Sequence, residues 1–124
     1  MDKLAEWFRT WFANKPPERE SLVLESNGLA FERAGNRTFL KWADVIEVFA
    51  YKADLLSVDL ICIGFRISND GRCVEIDEQM PGYAAVVEAL PAIFPGIRTD
   101  WWQAVAFPAF ELNSRSLWGK QKMR

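Results

Sequence analysis

Carboxylates are the residues of this chain whose types and spacing admit chemistry. Asp54 and Asp59 flank a short turn between two long β-rich segments, and Glu75, Asp77 and Glu78 follow close together further on. Paired carboxylates can divide general acid and general base work, as in glycosidases and aspartic proteases. A third oxygen donor would allow a hard cation to bind. The spacing disfavours the cation, because adjacent Asp77 and Glu78 point to opposite faces if their strand continues. Glu75 and Asp77 alternate with Cys73 along one face, the pattern of the solvated side of an edge strand. Little else in the sequence accompanies these acids. The chain has no histidine, which removes the commonest general base near neutral pH, the commonest metal ligand and every imidazole triad. It also has no glycine-rich phosphate loop, no CxxC pair and no GxSxG elbow, the minimum parts of nucleotide, zinc and serine-hydrolase sites. The expectation is a protein without catalytic residues, cofactor or metal.

Two other groups point to binding. A hairpin through Leu55 to Ser57 brings Lys52, Asp54 and Asp59 to one end of a sheet. A salt-bridged turn is the plain reading, and a charged tip on a rigid sheet also suits a surface that sets the register of a protein partner. Trp101, Trp102, Phe107, Phe110 and Trp118 crowd the C-terminal part, with Trp7 and Trp11 near the other end. Core packing accounts for most of these aromatics, and the remainder fit a groove or an interface hot spot. The candidate partner-binding residues are therefore Lys52, Asp54, Asp59, Trp101, Trp102 and Trp118.

The elements that must position these residues follow from periodicity. At 124 residues, half of them hydrophobic, the chain fits one domain with a core that needs no staples. Leu4, Trp7, Phe8, Trp11 and Phe12 recur at helical spacing, so Asp2 to Ala13 reads as an amphipathic helix that ends at Pro16-Pro17. Over residues 21–78 the pattern becomes that of strands: Leu22 to Ser26, Leu29 to Arg33, Arg37 to Trp42, Val45 to Ala53, Val58 to Ser68 and Arg72 to Asp77. Asn27-Gly28, Gly35-Asn36 and an Asn-Asp-Gly turn separate the shorter ones. In the fourth strand Val45, Glu47, Phe49 and Tyr51 share one face and Ile46, Val48 and Ala50 the other; in the fifth, Ile61, Ile63, Phe65 and Ile67 oppose Leu60 and Cys62. With apolar residues on both sides, the sheet must be covered on both or curl on itself. The cover lies in residues 81–124: Tyr83, Val86, Val87 and Leu90 form a helical stripe that Pro91 ends or kinks, and Asp100 with Gln103 resembles a capping box before a shorter helix. The expected fold is α+β: a curved antiparallel meander of about six strands, covered by helices from the two ends of the chain.

Composition narrows the partners. The net charge is -2, with both signs scattered, so no field collects polyanions and nucleic acid is not expected. No window approaches the ~18 apolar residues of a spanning helix, and the N-terminus lacks a secretory pattern; a cytoplasmic protein is expected. Cys62 and Cys73 flank the turn Ser68 to Gly71. Cys73 faces Arg66 or Ser68 according to where the turn is centred, and either register sets Cys62 too far away for a disulfide.

The run Trp42, Asp44, Val45, Val48, Lys52, Asp54, Asp59 and Ile61, with Gly82-Tyr83, Leu90-Pro91, Trp101 and Phe107-Pro108-Ala109-Phe110 after it, is similar to small uncharacterised proteins of bacteria. Small, acidic, histidine-poor proteins of this kind include immunity proteins, and the resemblance implies neutralisation of a cognate toxin. The order of strands followed by a helix resembles bacterial pleckstrin-homology-like domains. That family's basic lipid pocket has no counterpart here, since Glu25, Glu32, Arg33 and Arg37 give mixed charge near the first hairpin. The function expected is non-enzymatic protein binding, with oligomeric state open. The alternatives are a membrane-surface protein using Trp7, Phe8, Trp11 and Phe12, and a carboxylate-dependent enzyme.

Overall fold

Turn chemistry sets the first sheet. The computed structural model describes residues 20–55, 58–101 and 114–119, with the backbone alone at 54, 55, 58 and 59. Strands β1 (Ser21–Glu25), β2 (Gly28–Arg33) and β3 (Asn36–Lys41) lie antiparallel in the order β1-β2-β3. The β2–β3 turn is Ala34-Gly35, with φ of 52° and 83°, the mirror-image geometry that matches the twist of flanking strands. The expected Asn27-Gly28 and Gly35-Asn36 turns are thus each displaced by one residue, to Ser26-Asn27 and Ala34-Gly35. Gly28 is required for closeness rather than for turning. It opens β2, where a Cβ would run into the Leu40 carbonyl oxygen and the Phe39 ring.

A short 3-10 turn, Trp42–Asp44, takes the chain out of this sheet. Strands β4 (Glu47–Leu55), β5 (Val58–Arg66), β6 (Cys73–Asp77) and β7 (Ser114–Gly119) form a second antiparallel sheet in the order β6-β5-β4-β7. The single meander of about six strands is therefore corrected to two sheets, of three and four strands, among the described residues. β3 and β4 do not pair, because the intervening turn redirects the chain. The tail, expected only as cover, supplies β7 along the edge of β4, with a register shift at Val48/Phe49.

One helix, α1 (Tyr83–Ile93), is described. Pro91 lies inside its last turn instead of ending it. Having no N–H, Pro91 leaves the Val87 carbonyl without its i→i−4 bond, and the Leu90 carbonyl still receives the Phe94 amide at 2.8 Å. Gly82 caps the other end at φ 94°. The helix expected over Asp2–Ala13, Trp102, and most of the shorter helix expected after Asp100 lie outside the described residues. Among the described residues no helix is long and apolar enough to cross a membrane.

Alternation builds one core between the layers. The first sheet contributes Leu22, Leu29, Phe31 and Leu40; the second contributes Val48, Ala50, Ile63, Phe65 and Ile76; α1 lays Val86 and Leu90 on them, and Phe94 follows. Trp42 closes the junction, with its ring 5.7 Å from that of Phe65 and 5.6 Å from that of Phe94. The opposite face of the second sheet is also packed. Phe49 lies over Gly64, where a Cβ would meet its ring. It stacks on Tyr51 at 6.0 Å and carries the Arg66 guanidinium at 5.6 Å. Cys73 pairs with Arg66, the first of the two registers allowed by the turn, and both thiols are free.

Candidate functional site

The geometry of the β2–β3 hairpin determines which backbone groups β3 leaves unused. In a two-residue hairpin the pair that closes the loop, Arg33 and Asn36, exchanges both ladder hydrogen bonds, and bonded pairs then alternate along the strands. Phe31–Thr38 and Leu29–Leu40 are the next bonded pairs. The amide and carbonyl groups of Arg37, Phe39 and Lys41 therefore point away from β2. The same count on β1 points Leu22 outward, and there the Leu22 amide donates to the Pro81 carbonyl at 2.8 Å. β3 is the last strand of its sheet. Among the described residues no backbone hydrogen bond joins it to any strand other than β2.

A groove of about 280 Å³ runs beside this edge. Thr38–Lys41 form one wall, and Ile67 and Val74, from the end of β5 and the start of β6, form the other. Phe39 remains 38% exposed, a large apolar side chain on a strand where its own amide and carbonyl point away from β2. Lys41 and Asp44 line the groove at its one charged end, both exposed and neither with an ion-pair partner among the described residues. Arg37 behaves differently: its guanidinium donates to Glu32 at 2.9 Å and to Glu25 on the far strand. It is drawn back across its own sheet, away from the edge. These same pairs hold the polar hollow of about 450 Å³ around the β2–β3 turn.

Of the residues expected to bind a partner, Lys52, Trp101 and Trp118 are described with their side chains, and Asp54 and Asp59 with their backbone alone. Lys52 is fully buried, on the core-facing side of β4 opposite Ile61. Asp54 and Asp59 stand directly opposite each other in the β4–β5 register. Trp101 is buried in the core, and Trp118 packs on Phe94 at 4.7 Å and donates its indole N–H to the Pro95 carbonyl at 3.2 Å. Trp102 lies outside the described residues. Lys52 and Trp101 thus act as core, and Trp118 as a half-buried brace for the helix end.

Glu75, Glu78 and Asp77 each accept a hydrogen bond. Glu75 accepts the Tyr51 hydroxyl at 2.7 Å, Glu78 accepts the Ile61 amide at 2.7 Å, and Asp77 accepts the Gln79 amide at 2.9 Å. Asp77, expected on a solvated face, is 9% exposed, because it closes the turn that follows β6. Glu47 is buried and accepts from Arg66 Nε and from Ser116 Oγ, both at 2.8 Å, so that it joins β4, β5 and β7. Burial pushes the Cys62 thiol up. Burial and the bond to Glu75 push the Tyr51 hydroxyl up as well. Both keep their protons near neutral pH, which suits structural roles better than nucleophilic ones. Among the described residues no group of three or more cysteine or carboxylate side chains is arranged to hold a metal ion.

The groove residues Phe39, Ile67, Val74 and Asp44 had no place among the expected site residues. One signal for them exists: Arg37, Phe39 and Lys41 alternate on one face of a short strand. Recognising an edge also requires the order of the sheet, which no local pattern carries. Comparison with models of protein families finds none that matches the chain, and comparison with curated proteins and with solved structures finds no similar protein.

Proposed function

We propose that the chain is a non-enzymatic protein-binding module that receives an extended segment of its partner along β3. The observation that carries this reading is the outward row of amide and carbonyl groups at Arg37, Phe39 and Lys41, beside an apolar groove. Exposed edges are normally blunted by charge, bulges or covering elements. Here Arg37 is folded back over its own sheet, which leaves Lys41 as the charge beside the edge. Strand addition draws affinity from main-chain bonds and specificity from pockets for alternate side chains. The most concrete form of the reading is an inhibitor that occludes a toxin's surface, and the resemblance to immunity proteins is its support.

The test uses one position twice. Lys41 has φ of -82°, near the proline value, and its N–H faces away from β2, so Lys41→Pro removes an edge donor without breaking the ladder. Lys41→Ala removes the charge and keeps the donor. Affinity capture from lysate of the source organism should recover a stoichiometric protein with the wild type and with Lys41→Ala, and lose it with Lys41→Pro at unchanged circular dichroism. Equal capture by all three, or turnover of a substrate abolished by changing one carboxylate, would sink the proposal.

A further inference from the structure

The groove has a polarity of its own. Ile67 and Val74 form its apolar wall, faced by β3, where Leu40 is buried in the core and the Phe39 ring reaches back over Gly28, while Lys41 and Asp44 both stand toward the C-terminal end of β3. No ion pair joins Lys41 or Asp44 to another described residue. The other charged groups nearest the edge are already matched, Arg37 with Glu25 and Glu32 and Arg66 with Glu47. A segment lying along β3 therefore meets an apolar slot and, beyond one end of it, a cation and an anion that no described residue pairs.

We infer that the edge selects an extended segment with one apolar anchor residue and, to one side of that anchor, an acidic residue for Lys41 and a basic residue for Asp44. This rests on the reading of β3 as a docking edge. Main-chain bonds to Arg37, Phe39 and Lys41 are blind to sequence, so the anchor and the charge pair supply the discrimination. Two rim charges fix direction and register more than they add affinity. A segment docked the wrong way round would carry its charges past the uncharged end of the groove and gain neither contact.

A phage-displayed random peptide library, selected in parallel on the full chain and on the charge-exchanged variant Lys41→Asp/Asp44→Lys, tests this. The wild type should enrich peptides with an apolar anchor flanked on one side by an acid and a base. The variant should enrich the same anchor with the two charges exchanged. Synthetic peptides from each pool should bind the mismatched protein roughly tenfold more weakly, as expected for two exposed ion pairs turned repulsive. Enrichment that Lys41→Pro abolishes, but whose charge pattern does not exchange, would overturn this inference and leave the edge reading standing. No enrichment over an unrelated protein would remove both. A wild-type chain that sediments as a dimer, and as a monomer once Lys41→Pro is introduced, would overturn the inference by assigning the edge to a second copy.

Discussion

Cys62 and Cys73 share a side chain and differ in surroundings, and that difference is measurable. Cys62 is buried on β5, whereas Cys73 is half-buried beside Arg66 near the β5–β6 turn. A thiol reagent at pH 8 should modify Cys73 in the native protein and Cys62 only on unfolding; stoichiometric labelling of both in the folded state would refute the packing given to β5. Burial raises the Cys62 thiol above its ordinary value of 9.0, and the Tyr51 hydroxyl is raised as well. The native protein then keeps protons that the unfolded chain gives up. Stability is full below about pH 9 and falls as pH rises through that range. Thermal melts should show this decline, and Cys62→Ala should flatten its first part. Glu47 is the other residue whose setting decides its weight. Arg66→Leu leaves a buried carboxylate without its cation and should cost about 3 kcal/mol in urea titrations. Glu47→Gln should cost less, since the amide oxygen still accepts from Ser116. The alternation of β4 put Glu47 on a face with Phe49 and Tyr51 from sequence alone. Its burial and its partner on β7 depend on contacts sixty-nine residues apart, beyond the reach of any local pattern.

Turns and glycines decide the elements. Ala34 holds φ of 52°, a left-handed conformation that costs an L-residue with a Cβ roughly 1 kcal/mol. Ala34→Asn should stabilise the protein by about 0.5–1 kcal/mol, because asparagine tolerates that region and suits the mirror-image turn. A lower melting temperature for this variant would argue against the turn type. Gly64→Ala should cost about 1–3 kcal/mol by driving a Cβ into the Phe49 ring, and the loss should shrink in a Phe49→Ala background, since the two residues share one contact. Six strands were legible in the sequence because period-two alternation and turn residues coincide there. The placement of two turns was off by one, since Asn-Gly is a strong turn signal and Gly28 serves a crowded crossing instead. β7 was not legible: Ser114–Gly119 has neither alternation nor a flanking hairpin turn, and it is a strand only because β4 offers it an edge. The division into two sheets escaped for a similar reason, as Trp42–Asp44 reads like any short connection.

At the scale of the molecule, the candidate site is a consequence of sheet order. Lys52 and Trp101, two of the residues favoured in the sequence, lie in the interior, while β3, an ordinary strand with an exposed phenylalanine, is the border that carries the proposed site. The two borders of the first sheet are unequal. β1 gives its Leu22 amide to Pro81, and Gly82 sits so close to Leu22 that a Cβ would strike its carbonyl oxygen. Gly82→Ala, at φ 94°, should dislodge this corner and leave a second border bare, and sedimentation should then reveal association that grows with concentration. A variant that stays monomeric at high concentration would show that the corner is not what closes β1. Among the described residues the two borders therefore offer unequal lengths of free ladder: β3 turns out Arg37, Phe39 and Lys41 without interruption, while β1 turns out Leu24 beside a Leu22 already bonded to Pro81. A strand arriving at this sheet gains more bonds on β3 than on β1, so the corner at Pro81-Gly82 gives growth through the sheet a preferred direction.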